Sequence, residues 1–216
     1  MRPVLLICFF ILAASTTQAQ YKLYADGLEK YNQKDYLGAV ELLSEFLTRP
    51  VRDKKYDVDA HYWRGLASFK LNDFEASVED LQEALKLKHA NVGNIHWFIA
   101  KGHHALRHYP QAIESYDAAV ALFAKDNVRK AQLLSDRSKS HQAAGKTDLA
   151  RTDLQNALKL QPGIAEVERQ LRELDGTPPV TENKPVITAQ QQPKPEEKKP
   201  AEKIETAAQQ PVSTTG

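Results

Sequence analysis

Cysteine is nearly absent from this chain of 216 residues. The single thiol, Cys8, lies inside an apolar stretch at the amino terminus. Behind it no disulfide is available, so the remainder must stand on packing alone. Excess charge of either sign is missing too. Lysine and arginine number 29 against 28 aspartates and glutamates, and without Arg2 the two sets balance at 28 each. That balance exerts no long-range pull on nucleic acid or an anionic membrane. No apolar run suits a stable bilayer span: Val4 to Ala14 is 11 residues, about half of what a spanning helix needs. Reaction signatures are also wanting. There is no glycine-rich phosphate loop, no Gly-x-Ser-x-Gly elbow and no calcium loop of alternating Asp and Asn. The chain therefore reads as a protein without catalysis and without a cofactor.

The first residues have the form of a secretory leader. Arg2 supplies the positive start, Val4 to Ala14 the apolar core, and Thr17-Gln18-Ala19 a small-x-small cleavage site. Cleavage after Ala19 leaves Gln20 at the new terminus, and the expected destination is the periplasm or the extracellular medium. Leu5-Leu6-Ile7-Cys8 lacks the small residue that a lipidation site carries before its cysteine. At the other end, residues 176–216 hold seven of the 11 prolines, no aromatic, and five lysines matched by five glutamates. Such a stretch buries too little apolar area to offset its ordering entropy and is predicted to be disordered. Lys194-Pro195 and Lys199-Pro200 favour extended polyproline geometry, and Val186-Ile187 is its one apolar pair suited to docking.

Between these ends a pattern recurs four times. Ala39-Val40, Ser77-Val78, Ala112-Ile113 and Ala150-Arg151 hold matching places, at intervals of 38, 35 and 38 residues. Each segment has apolar residues at helical spacing, a turn, and a second such stretch. First helices are predicted at about 22–33, 57–71, 93–107 and 128–144, and second helices at about 36–48, 74–87, 109–124 and 147–160. Asp35 and Asp73 stand where carboxylates cap second helices. The extra residues near 52–57 and 126–130 read as longer turns or an added turn of helix. A ninth helix at about 164–174 has an apolar stripe of Ile164, Val167, Leu171 and Leu174, opposite Glu166, Arg169, Arg172 and Glu173. That division suits a terminal cap.

The columns of this repeat resemble the tetratricopeptide repeat, a helix-turn-helix unit of about 34 residues. A small residue recurs within the first helix (Gly27, Gly65, Ala100, Ser138), and an aromatic opens the second (Tyr36, Phe74, Tyr109, with Thr147 departing). A small residue marks the crossing (Ala39, Ser77, Ala112, Ala150). A large one follows a turn later (Leu43, Leu81, Tyr116, Leu154), and then a second small one, from which Phe46 departs before Ala84, Ala119 and Ala157. The resemblance implies an all-α, right-handed α-α superhelix. Its four hairpins fall at about 20–53, 58–91, 93–126 and 131–164, with the cap helix behind them. The whole domain spans 20–175, between a leader at 1–19 and the tail at 176–216.

The resemblance further implies that first helices line a concave wall. Tyr24, Tyr62 and Trp97, then Ser135, fall at its inward places, with Lys70, Lys101 and His104 further along the same helices. An aromatic-walled groove with a few cations suits an extended peptide or partner helix carrying apolar anchors and an acidic group. Replacing Tyr62 and Trp97 by alanine is then expected to weaken capture without unfolding the array. The family's chaperone-tail readers use Lys, Asn and Arg where Tyr24, Leu28 and Leu66 stand here, which speaks against that role. The expected function is an exported interaction scaffold or assembly factor for a protein or peptide. One alternative is self-association through Tyr21, Tyr24 and Tyr31. Another is metal handling by His103, His104 and His108. His104 and His108 are four apart and share a helix face if the helix runs that far, but a usual zinc site needs three or four ligands. His61 and His96, like His103 and His141, match in column, which favours packing. The many Asp and Glu residues read as helix starts and outer faces.

Overall fold

The structure, a computed structural model, describes residues 18, 20–50 and 54–176. The apolar run Val4 to Ala14, Cys8 and the stretch from residue 177 lie outside the described residues. Among those described there are nine α-helices and no strands. They are α1 at 20–32, α2 Tyr36–Thr48, α3 Asp57–Lys70, α4 Phe74–Lys86, α5 Val92–Ala105, α6 Tyr109–Leu122, α7 Asn127–Ala143, α8 Thr147–Leu160 and α9 Ala165–Leu174. A 3-10 turn, Lys54–Tyr56, leads into α3. The surplus at 127–130 lengthens α7 to 17 residues rather than forming a loop.

Helices pack in consecutive pairs, α3 on α4, α5 on α6 and α7 on α8, and each second helix also meets the next first helix. The result is a right-handed α-α superhelix of four hairpins with α9 laid on α8. The crossing column Ala39, Ser77, Ala112, Ala150 is buried throughout, as is the large column Leu43, Leu81, Tyr116, Leu154. Small residues are required there by contact. A Cβ added to Gly65 would stand 2.9 Å from Leu81 Cγ and 3.2 Å from the Ser77 carbonyl oxygen. Phe46, the odd member of its column, is fully buried against Tyr24, ring centroids 5.7 Å apart. In α9, Val167 is buried and Ile164, Leu171 and Leu174 pack beside it, while Arg169 pairs outward with Glu166 and Glu173.

The turn inside every hairpin has one construction. Lys34, Asn72, Arg107 and Gly145 have φ of 64°, 63°, 61° and 75°. The next amide reaches back to the first helix: Asp35 N–H to Lys30 O, Asp73 to Ser68, His108 to His103 and Lys146 to His141, at 2.8–3.0 Å. This left-handed cap satisfies carbonyls that the helix end leaves free. Asp35 and Asp73 then cap the following helices through Gly38 N–H and Ala76 N–H, and Asp126 caps α7 through Arg129 N–H. Glycine is easiest in such a turn, yet lysine and arginine occupy two of the four. Arg107→Gly is therefore expected to stabilise the array by about 0.5–1 kcal/mol. Gly145→Ala, with nothing near its added Cβ, should destabilise it by about 1 kcal/mol on backbone strain alone. Urea unfolding of the two variants should move in opposite directions.

Candidate functional site

Tyr24, Tyr62, Trp97 and Ser135 occupy equivalent places on α1, α3, α5 and α7, but they are not equivalently exposed. Tyr24 is 7% exposed and lies among Tyr56, Phe46 and Leu43. Its hydroxyl donates to Asp59 Oδ2 at 3.4 Å. Burial first, and the Asp59 charge second, push its phenol up to about 12. Tyr62 is 6% exposed, stacked on His89 at 4.2 Å and edge-on to Trp63. These two rings belong to the helix-to-helix core. The expectation that Tyr62→Ala would leave the array intact does not survive this geometry.

His89 itself is held on both nitrogens. Its Nδ1 accepts the Asn91 N–H at 3.0 Å, so Nε2 carries the proton and faces Asp59 Oδ1 at 3.1 Å. Tyr24, Asp59, His89 and Tyr62 thus join two successive first helices to the turn that follows α4.

Trp97 is only partly buried, and its indole Nε1 donates to Asp136 Oδ2 at 2.9 Å across to α7. Lys101 Nζ sits 5.1 Å from the Trp97 ring centre and 3.8 Å from the same carboxylate. Lys139 approaches the other carboxylate oxygen at 3.7 Å. Asp136 is buried, whereas the Lys101 side chain retains 37% of its exposure. Two ammonium groups thus bracket one carboxylate and leave positive charge at the surface. Lys70 is exposed at the end of α3 and makes no ion pair among the described residues. His104 Nδ1 meets Ser140 Oγ at 2.8 Å. Burial, then the Lys139 charge, hold its imidazole below the ordinary 6.5, which keeps it neutral at pH 7. Ser135 Oγ donates to Gln170 Oε1 at 3.2 Å, so α9 reaches the last first helix.

The histidine cluster differs from its sequence reading. Helix α5 ends at Ala105 and His108 precedes α6, so His104 and His108 do not share a helix face. The rings of His103 and His108 approach instead, 5.9 Å apart. Among the described residues no group of three or more His, Cys, Asp or Glu is placed to hold a metal ion.

A second polar assembly was hidden in the sequence among apparent surface charges. Arg64 on α3 forks onto Asp80 on α4, Nε to Oδ2 at 2.7 Å and Nη2 to Oδ1 at 2.6 Å. Its Nη1 reaches Ser44 Oγ on α2 at 3.1 Å, and His61 Nδ1 lies 2.8 Å from Asp80 Oδ1. Burial would raise the Asp80 carboxyl, but His61 and Arg64 outweigh it and hold it below the usual range. Arg137 repeats the fork on Asp153 two repeats later and adds Asp117 where Arg64 has Ser44. The separations are the same in both, 16 residues forward and 20 back.

Comparison with known proteins bears on one repeat and on the fold. Residues 58–91 match the family model of the tetratricopeptide repeat. MamA (41-end) from Desulfovibrio magneticus RS-1 superposes with a TM-score of 0.63 at 18% identity, covering 73% of this chain and 84% of that one. The first such domain of Spaghetti (RPAP3), bound to an HSP90 peptide, gives 0.50 at 19% identity over 57% of this chain and 94% of that one. A chain of the APC/C hetero-tetramer Cut9-Hcn1 gives 0.58 at 17% identity over 72% of this chain and 30% of that one. These likenesses are of fold. In sequence, the sol locus transcriptional repressor of Clostridium acetobutylicum is 26% identical over 101 residues, 47% of this chain and 31% of that relative's length. One segment, residues 58–91, thus matches the tetratricopeptide repeat, and the described helices share their fold with MamA and with a solved domain of that repeat.

Proposed function

We propose that the protein is an exported interaction scaffold or assembly factor whose first-helix face holds an extended peptide or partner helix bearing an acidic group, without catalysis. The observation that carries this reading is the Trp97–Lys101–Asp136–Lys139 group. It joins a partly exposed indole to two cations that share one carboxylate. A partner carboxylate there would gain a charge-assisted hydrogen bond, while the indole supplies contact area at low entropy cost. Lys70 and His104 extend the row, and Tyr24 and Tyr62 form the floor beneath it rather than the contact surface. The neighbouring fold that carries a bound HSP90 peptide supports peptide capture as a use of such a face. Export rests on the Arg2, Val4–Ala14 and Thr17-Gln18-Ala19 pattern.

The test is photo-crosslinking in the native compartment, with a crosslinking amino acid at Lys70 or Asn94 on the first-helix face and at Gln155 on α8. The expected result is a defined adduct from the first two positions only. Its formation should be lost in a folded Trp97→Ala/Lys101→Ala variant. Adducts from Gln155 alone would overturn the groove. A purified protein beginning at Met1 rather than Gln20 would overturn export.

A further inference from the structure

The notch over the Arg64–Asp80 pair has its own signature. A hollow of about 230 Å³ opens between α2 and α4, with that ion pair as its floor and Val40, Ser44, Ser68, Ala76, Asp73 and Glu79 around it. The fourth repeat provides an internal control, because Arg137 and Asp153 build the same floor. Around it the corresponding places hold Ile113 and Asp117 of the third repeat and His141 and Leu149 of the fourth, where the hollow has Val40 and Ser44 of the first and Ser68 and Ala76 of the second. Each of these four wall residues of the hollow is smaller than its counterpart. The rim changes sign as well. Lys146 and Thr152 of the fourth repeat correspond to Asp73 and Glu79 of the second. The same fork is thus framed by larger side chains and a Lys/Thr rim in one place, and by smaller side chains and an Asp/Glu rim in the other.

We infer that this hollow is a docking socket for one cationic side chain, an arginine in first instance, presented by a partner protein on the second-helix face. Size limits the guest. At roughly 30 Å³ per water the space holds about eight waters, and it falls below the 300–1,000 Å³ common for small-molecule pockets. Charge selects it. Arg64 and Asp80 neutralise one another, and Arg64 directs three of its five N–H groups to Asp80 and Ser44. Asp73 commits Oδ1 to the Ala76 N–H and keeps its second oxygen. Glu79 is exposed and makes no ion pair among the described residues. A guanidinium between them satisfies both carboxylates with its planar fork, while its methylene stem lies on Val40 and Ala76. The surrounding surface draws the same kind of partner: besides the neutralised Asp80, α2 and α4 carry five acidic residues, of which Glu45 pairs with Arg49 and Glu83 with Lys86, the one basic residue of the two helices.

The probe is N-acetyl-arginine amide, with its citrulline counterpart as the uncharged isostere, titrated to about 10 mM into the full-length ¹⁵N-labelled protein. Amide shifts at Ser44, Ala76 and Glu79 with the arginine compound, and none with citrulline, are expected. Glu79→Gln should weaken the response about threefold, the scale of one exposed ion pair. Ala76→Leu, which installs the fourth repeat's residue, should abolish it while the melting temperature is unchanged. Equal shifts with citrulline, no shift at the highest concentration, or an unaltered response in Glu79→Gln would each overturn the socket. Should Ala76→Leu fail to fold, Glu79→Gln at the surface still decides the matter. None of these outcomes bears on the first-helix groove, which the crosslinking tests separately.

Discussion

Asp80→Ala should lower the unfolding free energy by about 3 kcal/mol, measured by urea denaturation. Removing one partner of a buried pair costs about 3–5 kcal/mol because the other charge is left without compensation. The lower end applies here, since the Arg64 side chain keeps 23% of its exposure and can turn partly toward water, while Asp80 keeps 7%. The third repeat has already made the paired replacement: Ile99 and Ser115 stand where Arg64 and Asp80 do in the second. Arg64→Ile/Asp80→Ser should accordingly recover most of the loss, to within about 1 kcal/mol of the parent. A double variant as unstable as the sum of its singles would mean that the pair is not an exchangeable unit. The pH dependence has a definite sign. Because the folded Asp80 carboxyl lies below its ordinary 3.8, its contribution is present above that value and lost as pH falls through the folded one. The difference between parent and Asp80→Ala should therefore shrink only below about pH 4.

The helices were legible because each column repeats. A small residue at Ala39, Ser77, Ala112 and Ala150 and a large one at Leu43, Leu81, Tyr116 and Leu154 are visible at once in four copies, and both columns are buried. Asp35 and Asp73 announced their caps by standing just before aromatic residues that open helices. Asp126 did the same job before Asn127, but the residues around it exceed the repeat length and read as a longer turn or an added turn of helix. The left-handed turn column was hidden for a different reason. Only Asn72 and Gly145 advertise positive φ, while Lys34 and Arg107 accept it under the constraint of the back-bonded helix end. In the candidate site, periodicity identified which residues share a place but not how far the neighbouring helix closes over them. Trp97 keeps a free edge, whereas Tyr24 is sealed by Tyr56 and Phe46, and Tyr62 by His89 from the following turn. Lys139 was within reach, since it stands 38 residues after Lys101 in the same column. Asp136, the charge that both lysines share, has no counterpart in the other repeats and needed coordinates. Arg64 and Asp80 were lost among the solvated charges because a bidentate pair 16 residues apart has no signature in a helical period.

Tyr62→Ala should cost about 3–5 kcal/mol, the range for deleting a fully packed aromatic ring. The ring at 6% exposure fills the space among Leu66, Val78, Leu81, Ile95 and Ile99, and its removal leaves His89 without its stacking partner. Against a total stability of about 5–15 kcal/mol for a domain, that is enough to populate unfolded or partly opened chains. The damage should concentrate at the second and third repeats, since a stacked array transmits stability chiefly to nearest neighbours. Hydrogen exchange should show α3, α4 and α5 opening first, with α8 and α9 least affected. Tyr62→Phe keeps the ring and should stay within about 1 kcal/mol of the parent. The contrast governs how binding data on this face are read. Lost capture in Tyr62→Ala reports unfolding of the floor. Lost capture in Trp97→Ala/Lys101→Ala, with exchange protection of α3 and α4 intact, would report the proposed contact surface instead. Full exchange protection in Tyr62→Ala would instead mean that the ring stands free in the groove, and the division between floor and contact row would have to be redrawn.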